Sequence, residues 1–297
     1  VDSDAAGAAR TAYHAAQDAD EAGNHAAARE GYAWARDLDP LRFRAPADLN
    51  AVVARVAEEW GARLVDVHGA FVAASPNGLV GESLLLEHVH PNLDGYFLLA
   101  DAFFSALVAS GLPGAPEVDI AAAEARAGMP VSEIDRLLGD YKVLRIKAGW
   151  PFSDGRVPVQ LPEPSSEAER LAQELYHERL SWPEAHDRLR RHYQAQGNRT
   201  GYAHVTAILA DAFPFTGSLQ FETAAAMIEI NRPRDAVRYS RRGIALEPRN
   251  VNQWLVHAHG LLLSDREREG RAALERALEL EPANPTARQV LDELGAE

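Results

Sequence analysis

Three side chains able to move protons or hold a metal sit together in the run Leu84-Leu85-Leu86-Glu87-His88-Val89-His90-Pro91-Asn92. A carboxylate beside an imidazole fixes its tautomer and stabilises the imidazolium. Glu87, three residues before His90, can do this within one tight loop. In an extended segment His88 and His90 point to the same side, so with Glu87 and Asp94 they also offer nitrogen and oxygen ligands to a metal. The third reading is an ordinary polar loop. From these residues alone all three stay open.

Flanking segments must position this run. "ADLNAVVARVAEEWG" places Leu49, Val52, Val53 and Val56 on one face of an amphipathic helix. "ARLVDVHGAF" reads as a short buried strand over Leu64–Val67. A loop follows, and then an apolar helix from about Leu93 to Ala109. Helix, strand, loop and helix make an α/β pattern, one edge of a parallel sheet. Functional loops in such sheets lie beyond the strand ends, which is where Glu87 to Asn92 would fall.

Composition narrows the function classes. With 297 residues, two units are expected. Lys and Arg total 30 against 44 Asp and Glu, a net charge of −14 that argues against a nucleic-acid-binding surface. The local basic run 188–199 reads as one solvated helix face. The absence of cysteine excludes disulfides, zinc ribbons and thiol catalysis. No stretch of 18 apolar residues exists to span a membrane. The chain opens "VDSDAAGAAR" without an initiator Met, which raises the expectation of further sequence upstream.

The second half is periodic. Thirty-four residues separate Pro214 from Pro248, and again Pro248 from Pro282, with "ADAFP", "GIALEP" and "RALELEP" leading into the prolines. Gln220, Ala224, Met227, Ala236, Ser240 and Gly243 in one unit correspond to Trp254, Ala258, Leu261, Gly270, Leu274 and Ala277 in the next. This resembles the tetratricopeptide (TPR) repeat, a helix-turn-helix of that length. A weaker unit covers about Ser181 to Pro214, and "PANPTARQVLDELGAE" would be a terminal capping helix. The resemblance implies a solenoid with a concave surface for a protein or peptide, for which Arg232, Arg238, Arg241, Asn252 and Gln253 are candidate lining residues. Residues 8–40 carry a similar single hairpin, with Ala12, Ala16 and Ala19, a Gly23–Asn24 turn, and Ala28, Tyr32 and Ala35. His14 and His25 in it read as surface residues without partners.

The segment from Glu87 to Tyr96 resembles the last block of SGNH/GDSL-family hydrolases, an acid, two residues, His-Pro-Asn, and then Gly-Tyr opening a helix. The resemblance implies His90 as catalytic base and Glu87 as its acid, in place of the usual Asp, with His88 and Asn92 lining a substrate pocket. It also implies ester hydrolysis or acyl transfer on an acylated small molecule or glycan, and an extracytoplasmic setting. Neither resemblance implies a cofactor or a metal. The family's Gly-Asp-Ser nucleophile motif is missing, since Ser3, Ser75 and Ser83 lack its context, so the chain by itself is expected to be inactive.

The expected fold is therefore mainly α. It comprises a TPR-like hairpin over 1–45, a partial α/β, flavodoxin-like SGNH piece over 46–112, a helical connector over 113–164, and a TPR solenoid over 165–297. In the connector, helices are expected over 117–128 and 131–150, with a Trp150–Pro151–Phe152 apolar lock. The alternative to an esterase fused to repeats is a noncatalytic TPR scaffold.

Overall fold

A computed structural model describes residues 3–41, 43–111, 121–150, 152–153, 155 and 157–295. The chain divides into two compact units, Val1–Gly128 and Met129–Glu297.

In the first unit, α1 (Ser3–Glu21) and α2 (His25–Leu38) pack as a hairpin. Gly23 takes the left-handed turn at φ +76°, and the Asn24 side chain caps α2 by accepting from Ala27 N at 3.3 Å. Gly31 lets the helices touch, since a Cβ there would stand 2.8 Å from the Ala16 Cβ. Contrary to expectation both histidines have partners: His14 Nδ1 lies 2.9 Å from Gln17 Oε1, and His25 Nδ1 lies 3.0 Å from Asp20 Oδ1.

Helix α3 (Ala47–Glu59) forms as its periodicity predicts, yet none of its residues is buried. Leu49, Val52, Val53 and Val56 remain 39–53% exposed. The strand expected over Leu64–Val67 does not form, and with it goes the partial α/β piece. A strand satisfies its backbone only against a neighbour, and no named strand lies among the described residues. Asp66 instead accepts Gly69 N at 2.8 Å and starts α4 (Val67–Ala74). An N-cap with a following helix thus outcompetes an unpaired strand. Helix α5 (Leu93–Ala109) and the short α6 (Ala122–Ala127) complete the unit.

The second unit runs through α7 (Glu133–Lys147), α8 (Glu167–Tyr176), α9 (Trp182–Ala195), α10 (Arg199–Ala212), α11 (Gly217–Glu229), α12 (Pro233–Leu246), α13 (Val251–Leu262), α14 (Glu267–Leu280) and α15 (Pro285–Gly295). Helices α9/α10, α11/α12 and α13/α14 are three successive helix-turn-helix repeats. Their turns enter the left-handed region at Gly197, Asn231 and Asp265, again 34 residues apart. Glycine and Asn or Asp are the residues that tolerate that conformation best. Small residues set the helix spacing: Ala224, Ala236 and Ala258 are fully buried, and a Cβ on Gly270 would stand 2.8 Å from Leu262 side-chain atoms. Consecutive apolar clusters join the stack, one centred on Ile134, Leu171 and Leu189, one on Met227 and Tyr239, and one on Leu261 and Leu274. Helix α15 closes the last of these through Ala287. The result is a helical solenoid of TPR type.

The connector helix α7 packs on α8 and shares the first of those clusters through Ile134 and Tyr141. Residues 112–120 lie outside the described residues, so the helix expected over 117–128 is seen only as α6. Pro151 of the expected apolar lock also lies outside them; Trp150 is strongly exposed and Phe152 more weakly so.

Candidate functional site

The loop before α5 folds back on itself. Leu86 N donates to His90 O at 2.8 Å and Asn92 N donates to Leu84 O at 2.9 Å, closing a small bridge between Leu85 and Pro91. Asn92 then caps α5, accepting from Gly95 N at 3.0 Å while its amide donates to Glu82 O and Ser83 O at 3.2 and 3.0 Å. Its polar atoms are committed to the turn rather than to a pocket. Gly95 has to be glycine, because a Cβ would overlap the Leu84 carbonyl oxygen.

Inside this loop the Glu87 side chain is only 1% exposed. Its Oε1 meets His90 Nδ1 and accepts His90 N at 3.0 Å. Its Oε2 accepts Val89 N at 2.9 Å and lies 2.7 Å from His88 Nδ1. Burial alone would raise the Glu87 carboxyl. The hydrogen bonds from His90 and Val89, with the neighbouring His88, outweigh it and hold the group below the usual carboxylate range. With Nδ1 on the carboxylate, His90 keeps a side chain 62% exposed and an Nε2 with no protein partner among the described residues' hydrogen bonds. This is the arrangement a general base needs. His88 packs edge-on against Phe43, with ring centroids 4.9 Å apart. The structure therefore brings Glu87, His88 and His90 together and gives Asn92 to the backbone. Among the described residues, no serine hydroxyl bonds His90. Nor do three His, Asp or Glu side chains there meet as a metal site.

A second Ser, His and Asp set lies in the repeat unit, unforeseen in the sequence. Ser132 Oγ stands 2.7 Å from His186 Nε2, and Asp135 Oδ2 stands 3.3 Å from the same nitrogen. This is no catalytic triad: the acid and the hydroxyl meet one ring nitrogen, and Nδ1 pairs with Trp182 O at 2.8 Å. His186 is fully buried. Asp135 also accepts Ser132 N at 2.9 Å, Ser132 Oγ at 2.8 Å and Trp182 Nε1 at 2.7 Å. Burial opposes its charge, yet the bonds from His186, the Ser132 amide and the Trp182 indole lower its pKa to about 2. The set is a capping box on α7 tied to the first turn of α9. Its local half is legible as Ser132-x-x-Asp135 ahead of an apolar run, whereas nothing in the sequence names Trp182 or His186 as partners.

Of the expected solenoid-lining residues, Gln253 is fully buried and donates to Gly217 O at 3.0 Å. It holds helices together and lines no surface. Asn252 and His259 of α13 are exposed. Arg238 and Arg241 lie on α12, the second helix of its hairpin. No described helix is long and apolar enough to cross a membrane.

No protein-family profile matches the sequence, and no curated protein does. Among solved structures, the first TPR domain of Spaghetti (RPAP3) bound to an HSP90 peptide is similar at 21% identity. The match covers 36% of this chain and 85% of that one, with a TM-score of 0.34. The first TPR domain of human RPAP3 is similar at 21% identity over 36% of this chain and 84% of its own, with a TM-score of 0.33. The TPR domain of Arabidopsis OM64 is similar at 19% identity over 37% of this chain and 92% of its own, with a TM-score of 0.34. The TPR-type character of the second unit stands on its own 34-residue helix pairs and turns.

Proposed function

We propose that this chain is a noncatalytic binding scaffold whose helical repeats present a surface to a protein partner. The observation that carries this is the use of side chains in the second unit. Its interior is spent on stacking one hairpin on the next, and Ser132, Asp135 and His186 are committed to tying α7 to α9. What such a stack offers other molecules is its extended face, where α13 exposes Asn252 and His259. A photo-cross-linking residue at position 259 is expected to capture one recurrent partner, and the same probe on α3 to capture none.

A second reading is favoured by one observation, the buried Glu87 carboxylate on Nδ1 of an exposed His90. We infer from it an acid–base pair able to serve ester hydrolysis or acyl transfer wherever a serine hydroxyl meets the free edge of the His90 ring. His90 would take the proton from the serine and return it to the leaving group, while Glu87 orients the ring. The assay is p-nitrophenyl acetate turnover by the full-length protein. His90→Ala is expected to lower it by about 10³-fold or more. Unchanged turnover in that variant removes this reading and leaves the scaffold.

A further inference from the structure

The middle repeat concentrates positive charge in a chain of net charge −14. Helix α12 carries Arg234, Arg238, Arg241 and Arg242 against a single acid, Asp235. Spacings of four, seven and eight residues set these four on one side of the helix. Ala236, Tyr239, Ser240 and Gly243 turn inward and are buried. Along the arginine side runs a groove of about 580 Å³, lined by the four arginines together with Val237, Ser264 and Arg266.

The charges in this groove do not balance. Arg242 donates to Asp211 at 2.6 Å, and Arg238 lies 3.9 Å from the same carboxylate. Arg266 holds Glu269 through two bonds of 2.8 and 2.6 Å. Among the described residues Arg234 and Arg241 face no carboxylate within 4.0 Å. Five guanidinium groups thus share two acids. The groove is also partly ordered in advance. Arg238 stacks 4.4 Å over the Tyr239 ring, and the Tyr239 hydroxyl donates to Asp211 at 2.9 Å.

Guanidinium forks take up carboxylates in paired, charge-assisted hydrogen bonds. At about 580 Å³ the open groove offers more room than a single anion requires. Arginine stems and Val237 add apolar floor to the charged rim. A long polyanion, whether nucleic acid or an anionic bilayer, meets the repulsion of the whole acidic chain; a short segment meets the groove alone. We infer that this groove binds a short peptide segment bearing closely spaced Asp or Glu carboxylates. The inference rests on the scaffold reading and adds the partner's chemistry and a second address, on α12 rather than at Asn252 and His259.

The test is a fluorescence-anisotropy titration of the whole chain with a labelled Glu-rich peptide and a Gln-rich peptide of equal length. The Glu-rich peptide is expected to bind saturably, with affinity falling as salt rises, and the Gln-rich one at least about tenfold more weakly. Reversing Arg234→Glu and Arg241→Glu together is expected to weaken Glu-rich binding by at least about tenfold. Both residues are exposed, so an unchanged thermal melt shows that the variant keeps its fold. No saturable binding, or binding indifferent to salt or to the double variant, overturns the inference. So does tighter capture of a single-stranded oligonucleotide or of phosphatidylserine vesicles, lost in the same variant. If the double variant still cross-links its partner from position 259 while the Glu-rich peptide fails to bind, the groove falls and the scaffold stands.

Discussion

Asp135→Ala is expected to lower the stability of the repeat unit by about 3 kcal/mol, read as a fall in the urea midpoint at unchanged slope. The carboxylate accepts from the Ser132 amide, the Ser132 hydroxyl and the Trp182 indole, and it stands beside His186 Nε2. Removing it strands those donors where little water reaches, at about 1–3 kcal/mol for each unsatisfied group before the site relaxes. The bonds also join residues about fifty positions apart, so the loss detaches α7 from α9 instead of fraying one helix end. The pH dependence has a definite sign. A carboxyl held at about 2 in the folded state stabilises it above the ordinary Asp range, and that contribution disappears as pH falls from about 4 to 2. The wild-type chain should therefore lose more stability than Asp135→Asn across that window. A loss under about 1 kcal/mol in Asp135→Ala would contradict the network's structural role.

Leu261→Ala should cost about 3 kcal/mol, within the 2–5 kcal/mol typical of buried leucine truncations. Leu261 is 2% exposed and packs with Val237, Ala258, Ala273, Leu274 and Ala287. It therefore belongs to the contact between the middle repeat, the last repeat and the closing helix α15. In a stacked array, stability is a sum of repeat and neighbour terms. Lost hydrogen-exchange protection should consequently concentrate in α13 to α15 and spare α9 and α10. Protection lost uniformly along the unit would show that the repeats do not act as nearest neighbours.

The legible parts of this molecule are those governed by local, repeated signals. Prolines and small residues at fixed spacing mark α9 to α14, and the left-handed turns at Gly197, Asn231 and Asp265 follow the same period. Asn92 and Gly95 announce the start of α5 because each meets a local geometric need, a cap and a close approach. The misreadings come from non-local facts. Leu64, Val65 and Val67 are apolar, but whether such a run becomes a strand depends on a partner strand, and the Asp66 cap decides for helix. Gln253 looked like a surface amide and is buried against the Gly217 carbonyl. Near the loop, the contact of Glu87 with His90 follows from a three-residue spacing. The contact of Asp135 with Trp182 and His186 depends on how α7 docks on the first repeat.

The central claim is that the repeats bind a partner, and the most direct measurement is photo-cross-linking from position 259 of the whole chain, with the adducts identified by mass spectrometry. Recurrent peptides from one partner are expected, competed away by excess unlabelled chain and absent when the probe sits at Glu58 on α3. Adducts no more frequent or specific than those from Glu58 would contradict it.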